Sequence, residues 1–225
     1  MAAGSRLYIA AKAPRVGLAK TRLGEAIGHA AAVALYRAFL VDLAARFNAS
    51  GLPLGWYVTP PDAWDELGPI CCPNGHDVRV LDQGDGDWTA RQRRLFAGMA
   101  ARGESRLVLT ASDSPHLPVA YVQDAFRQLE THDLVLGPVP DGGYYLIGVR
   151  AGADVLEGIA MSTATVFDQI VARADELGLS VGYVEELVDV DEAADLPRLM
   201  DALGGGEDCP ATRAALESLG LALVP

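Results

Sequence analysis

The stretch Arg6-Leu-Tyr-Ile-Ala-Ala-Lys12-Ala-Pro14-Arg15-Val-Gly17-Leu-Ala-Lys20-Thr21-Arg22-Leu23 carries five basic residues and no acid, in a chain of 225 residues with a formal net charge of -12. It reads as an apolar strand, a Pro/Gly turn and a helix start bearing Lys20 and Arg22. A buried strand that turns into a helix is the repeating unit of a layered α/β fold. The same layout suits an anion, and a phosphate chain most of all. The turn brings backbone N–H groups to the ligand, the helix N-terminus adds a favourable dipole, and the side chains neutralise charge. Cations at a helix N-terminus oppose the macrodipole unless an anion joins them. Lys12, Lys20 and Arg22 therefore read as a clamp on a diphosphate or triphosphate, within a substrate loop shaped by Pro14, Arg15 and Gly17. Thr21 is the expected N-cap. The Walker A pattern is absent.

Outward from this stretch, residues 54–58, 78–81, 107–110, 133–136, 144–149 and 181–185 read as further strands. Helices are expected over about 21–47 (one long helix or a pair), 62–67, 89–101, from 119 onward, 163–177 and 193–203, with a last one opened by Asp208 or Cys209. Thr89 is the expected cap of its helix. The alternation predicts a mixed, mainly parallel sheet flanked by helices, as a single domain over 1–225. Ligands then bind outside the carboxyl ends of the strands. The loops at 12–20, 112–115 and 140–143, richest in charge and glycine, all follow strand ends.

Half of the residues are apolar, enough for a real core, and the acidic balance speaks against nucleic acid as a partner. No apolar run reaches membrane-spanning length, and the start lacks the pattern of a signal peptide, so no membrane and a cytoplasmic setting are expected. The adjacent Cys71 and Cys72 are poorly placed to chelate one ion with His76 or Cys209, and the cysteines read as loop or core residues. Gly204-Gly-Gly206 reads as flexible.

Asp113 follows the apolar strand at 107–110, where a carboxylate can hold a divalent cation that bridges phosphate oxygens. Ser112 beside it, and Gln83 at the head of the Gln83-Gly-Asp-Gly-Asp-Trp88 loop, join the substrate-binding set. Asp85 and Asp87 read as part of a solvated loop. Pro140-Asp141-Gly142-Gly143-Tyr144-Tyr145 is a hairpin-turn signal, and its glycines equally let a ligand touch backbone. The two tyrosines divide between core and site, because successive strand residues face opposite ways. Asp189-Val-Asp191 sets two carboxylates on one side of an extended segment, where one of them can share a cation with Asp113. Asp195 reads as a helix cap.

Taken in order, Lys12-Ala-Pro-Arg-x-Gly-x-x-Lys20-Thr-Arg-Leu, Ser-Asp113-Ser-Pro, Asp141-Gly-Gly-Tyr-Tyr and Asp189-Val-Asp-x-x-x-Asp195-Leu resemble a bacterial family of glycosyltransferase A-like, nucleotide-diphospho-sugar transferase proteins. The landmarks are similar to those of 2-phospho-L-lactate guanylyltransferase and, more remotely, of the molybdenum cofactor guanylyltransferase. The resemblance implies a Rossmann-like GT-A fold. It implies that Lys20 and Arg22 meet the nucleotide phosphates, that Asp113 binds metal, and that the Asp141-Gly142-Gly143 loop with Tyr144 borders the acceptor. Two departures stand out. Val16 replaces the family's usual Pro, and Pro115 replaces the second acid of a glycosyltransferase D-x-D motif. Asp-x-Pro is the nucleotidyltransferase form.

The expectation is a Mg²⁺-dependent (or Mn²⁺-dependent) nucleotidyltransferase. Lys20, Arg22 and Asp113 are its catalytic residues, and Asp113, Asp189 and Asp191 its metal candidates. Its partners are a nucleoside triphosphate and a small phosphorylated acceptor. A glycosyltransferase using a nucleotide sugar, and a non-catalytic nucleotide-binding protein, are the alternatives. The base, the acceptor and the oligomeric state, a homodimer included, stay open.

Overall fold

The computed structural model describes residues 4–75, 78–152, 154–161, 163–204 and 208–220. Its seven strands are β1 (Ser5–Lys12), β2 (Leu54–Thr59), β3 (Arg79–Asp82), β4 (Arg106–Ala111), β5 (Leu134–Pro138), β6 (Tyr144–Arg150) and β7 (Val181–Tyr183). They form one sheet in the order β3-β2-β1-β4-β6-β5-β7. β6 alone runs against its neighbours, β4 and β5, and every other pairing is parallel. The chain steps outward from β1 through β2 to β3, then returns to β4 on the other side of β1. That reversal opens a crevice at the carboxyl ends of β1 and β4, where a sheet of this kind takes its ligand.

The central strands are buried on both faces, so their sequences alternate between two apolar layers. Leu7, Ile9, Trp56 and Val58 pack into one layer with α1 (Thr21–Ile27), α2 (His29–Ala49), α3 (Trp64–Cys71), α5 (Val119–Gln128), α7 (Leu196–Leu203) and α8 (Pro210–Ser218). Tyr8, Tyr57, Leu109 and Ile147 pack into the other with α4 (Trp88–Ala97) and α6 (Val166–Glu176). Cys71 and Cys209 are buried free thiols in the first layer. His76, Gly205 and Gly206 lie outside the described residues. Among those described, no helix is long and apolar enough to cross a membrane.

One local expectation left open is settled, and two are corrected. The helical stretch after Thr21 is a pair, divided at Gly28, whose φ of 91° is costly for any residue with a Cβ. Asp87, not Thr89, caps α4. Its extended backbone lets its carboxylate accept the Ala90 N–H at 2.8 Å, while the Thr89 hydroxyl donates to the Ile159 carbonyl. Thr21 is not the cap of α1. That position falls to Lys20, in the left-handed region (φ 51°, ψ 44°), whose side chain caps nothing.

The loop that follows β4 is braced from behind. Arg46 on α2 donates to the Pro115 and Leu117 carbonyls, and the Cys209 thiol donates to Pro115 as well. His116 lies within this brace with both ring nitrogens buried and without a hydrogen-bond partner. Burial first, and then the Arg46 guanidinium, push its pKa down to about 4. The unfolded chain takes up a proton at His116 as pH falls below about 6.5, whereas the folded chain resists until about 4. Folding stability from this group is therefore complete above pH 6.5 and drains away between 6.5 and 4. The expected loss is about 2–3 kcal/mol. Urea melts at pH 7 and pH 4.5 should show most of it disappearing in His116→Phe. An equal pH dependence in the two proteins would refute the assignment.

Candidate functional site

Lys12 ends β1, and Ala111 ends the neighbouring β4. One buried side chain ties these two ends together. The Tyr36 hydroxyl on α2 accepts the Lys12 N–H at 3.1 Å and shares a 2.7 Å hydrogen bond with the Ser112 hydroxyl. Tyr36 was not among the residues picked out from sequence. Its one signal there was a hydroxyl set among the apolar residues of a buried helix.

Asp113 follows at once and is bound to the Asp189–Asp191 segment through the main chain. The Val190 N–H donates to the Asp113 carbonyl at 3.1 Å, and the Ser114 hydroxyl to the Val188 carbonyl at 2.8 Å. The Asp195 carboxylate accepts the Asp191 and Glu192 N–H groups at 2.9 and 2.8 Å, completing a capping box with Glu192 ahead of α7. The Asp113 and Asp191 carboxylates therefore face one place on a fixed frame. At that place stands the Lys20 ammonium. It bonds Asp113, donates to the Val190 carbonyl at 2.6 Å and lies 3.7 Å from Asp191. Its side chain is only 4 % exposed, with the Tyr36 and Phe39 rings about its head group at 5.8 and 6.0 Å. Arg22 closes the outer side, bonding Asp191 at 2.6 Å and Glu192 at 3.0 Å.

Acid crowding shows in the protonation of Asp189, which burial, then Asp191, Asp113 and Asp141, push up to about 7 against the pull of Lys20. Asp141 belongs to the turn between β5 and β6, so that turn reaches the same acidic centre. Its shape is fixed internally. The Asp141 carboxylate accepts the Gly143 N–H at 3.0 Å, and Gly142 (φ 88°) packs where a Cβ would strike the Ala164 carbonyl. Tyr145 enters the first core layer. Tyr144 is directed to the opposite face, its hydroxyl paired with Gln92 at 2.7 Å.

The other candidates are placed elsewhere. Arg15 is engaged by Asp62 and Glu66 of the α3 region, and the Pro14 carbonyl by Arg37, so this part of the loop leans on α3. Gly17 takes a φ of 80° beside the exposed Val16. Gln83 is buried at the end of β3. Its amide donates to the Tyr57 carbonyl at 2.7 Å and accepts from Arg91 at 3.2 Å.

The donor set suits a hard cation: two carboxylates and one carbonyl oxygen, already gathered about a positive charge. Among the described residues no three His, Cys, Asp or Glu side chains form a metal cluster. The protein offers two carboxylates, and ligand oxygens must complete a shell.

Residues 44–163 match the family model described as "uncharacterized protein conserved in bacteria" (DUF2064). The chain is 34 % identical over 187 residues to a 3-phospho-D-glycerate guanylyltransferase from Phenylobacterium zucineum (strain HLK1), covering 77 % of this chain and 79 % of that one. A crystal structure from Desulfovibrio desulfuricans G20, assigned to the nucleotide-diphospho-sugar transferases, superposes with a TM-score of 0.86 at 29 % identity over 97 % of both chains. A cytidylyltransferase from Leptospira borgpetersenii shares the fold alone, with a TM-score of 0.58 at 12 % identity over 96 % of this chain and 95 % of that one.

Proposed function

The chain belongs to this bacterial family (DUF2064) and is a transferase of the nucleotidyltransferase kind, and on that premise we propose that it moves a nucleotidyl group from a nucleoside triphosphate to a small phosphorylated acceptor with the help of Mg²⁺ or Mn²⁺. The observation that carries this reading is the convergence of Asp113, Asp191 and the Val190 carbonyl on one buried positive charge at the β1/β4 crevice. The guanylyltransferase relative makes GTP the first donor to try, and 3-phospho-D-glycerate the first acceptor. A single domain in the cytoplasm is part of the same reading.

The triphosphate lies across the ends of β1 and β4. An anionic oxygen of the acceptor attacks the α-phosphorus, forming a new P–O bond as the bond to pyrophosphate breaks. Lys12, Lys20 and Arg22 take up the charge that builds on the departing pyrophosphate. Asp113, with Asp191 or Asp189, would hold the cation, which would supply neutralisation of phosphate charge. The turn at 139–143 borders the acceptor. Such transfers depend on positioning and charge neutralisation, so no nucleophilic side chain is required.

A thermal-shift panel tests the reading. GTP with Mg²⁺ at 100 times its Kd should stabilise the chain by about 2.7 kcal/mol. A nucleotide sugar at equal concentration should do less, because Pro115 stands where the D-x-D motif has its second acid. Stabilisation by a nucleotide sugar and by no triphosphate would move the assignment to glycosyl transfer.

A further inference from the structure

Lys20 has two demands on it. The preceding reading asks it to meet phosphate, yet its ammonium is bound to the groups that would hold the cation. We propose that Lys20 is a built-in counter-cation sharing one position with the divalent metal, so that metal binds only in exchange for it and nucleotide and metal load together. This rests on the nucleotidyltransferase reading and adds the order in which that site fills.

The geometry requires the exchange. A divalent ion on Asp113 and Asp191 would sit within ordinary contact distance of an ammonium that already touches both the Asp113 carboxylate and the Val190 carbonyl. Like charges that close, in a pocket only 4 % open at the lysine side chain, do not coexist. The backbone directs the side chain inward. Lys20 and Cys209 are the two non-glycine residues with positive φ among those described, and a left-handed lysine without a capping bond is held there by its surroundings. The four-carbon stem gives the ammonium somewhere to go. Displaced from Asp113, it can turn to the phosphates that arrive with the metal. Lys20 thereby neutralises the acids before loading and the phosphates after it. By linkage, nucleotide must then raise metal affinity by the factor that metal raises nucleotide affinity.

The sequence supplies a clean test, because Lys12 and Lys20 are the chain's two lysines. Amine acetylation of the intact protein, read by peptide mass spectrometry, should label the exposed Lys12 about tenfold faster than Lys20 in the absence of divalent ions. Saturating Mn²⁺ without nucleotide should bring the Lys20 rate up towards that of Lys12. Mn²⁺ titration by electron paramagnetic resonance should show Lys20→Met binding the ion about tenfold more tightly than the unaltered chain. Equal labelling of both lysines without metal overturns the exchange, as does Mn²⁺ affinity unchanged in a folded Lys20→Met. Should that variant fail to fold, the labelling of the unaltered chain decides alone. Absence of Mn²⁺ binding in both proteins, with and without GTP, removes the nucleotidyltransferase reading itself.

Discussion

Asp113→Asn should lower the rate of nucleotidyl transfer about a thousandfold, equivalent to roughly 4 kcal/mol of lost transition-state stabilisation. Asparagine is nearly isosteric, and the main-chain bond from Val190 to the residue 113 carbonyl does not involve the side chain. The loop frame therefore survives, and what disappears is a negative charge at the point where the proposed cation and α-phosphate would meet. The loss should fall on kcat, with a smaller change in KM, because charge on the reacting phosphate grows as the bond to pyrophosphate breaks. In the variant the buried Lys20 ammonium loses its nearest carboxylate charge and keeps the Val190 carbonyl, a neutral amide oxygen at residue 113 and Asp191 at 3.7 Å. The metal-free protein should accordingly melt earlier than the unaltered chain. Turnover within about threefold of that of the unaltered chain would remove Asp113 from the catalytic set.

The two-layer architecture was legible in the sequence because strand periodicity and buried apolar runs are local. Strand order was not. The Asp141-Gly142 hairpin signal announces that Tyr144–Arg150 runs against β5, but nothing in the segment shows that it inserts between β4 and β5, since an antiparallel strand buried on both faces carries the same apolar run as a parallel one. The local signals misled where a side chain had a distant partner. Thr89 looked like a cap, but its hydroxyl reaches Ile159, 70 residues away. Thr21 likewise looked like a cap, because nothing in sequence shows that Lys20 is drawn across to Asp113, 93 residues on. The same distance hides how basic residues are shared out. Five cations in one stretch suggest a phosphate clamp, yet Arg15 is committed to Asp62 and Glu66, and the exposed Arg22 meets phosphate only by turning from Asp191 and Glu192. Only the folded chain separates the cations already paired from Lys12, which has no acid within ion-pair distance among the described residues.

Glu104 escaped the sequence reading altogether, and its replacement by Ala should destabilise the fold by about 3–5 kcal/mol. It lies in a turn between two arginines, where an acid looks like a solvated surface charge. In the fold its side chain is 3 % exposed. Its carboxylate accepts the Tyr8 hydroxyl at 2.6 Å, Arg79 at 2.8 Å and Arg102 at 2.8 Å, with Arg6 at 3.5 Å. Tyr8 registers this company. Burial, and then the bond to Glu104, push its hydroxyl up to about 12. Alanine would orphan that hydroxyl inside the second core layer and leave three guanidinium groups without their counter-charge. Those groups are 18 to 36 % exposed and can turn partly to water, which favours the lower end of the range. Gln should cost less, about 2 kcal/mol, because it keeps an acceptor for Tyr8 while its amide confronts an arginine. In a chain of this length the Ala variant should melt roughly 6–12 °C lower. Arg6 and Arg79 belong to the amino-terminal ends of β1 and β3, at the sheet edge away from Lys12 and Asp113. GTP affinity measured on the folded protein should therefore be unaltered. A loss below about 1 kcal/mol in urea melts would show that the arginines are held by the fold without Glu104, and that the cluster is merely a tolerated burial of charge.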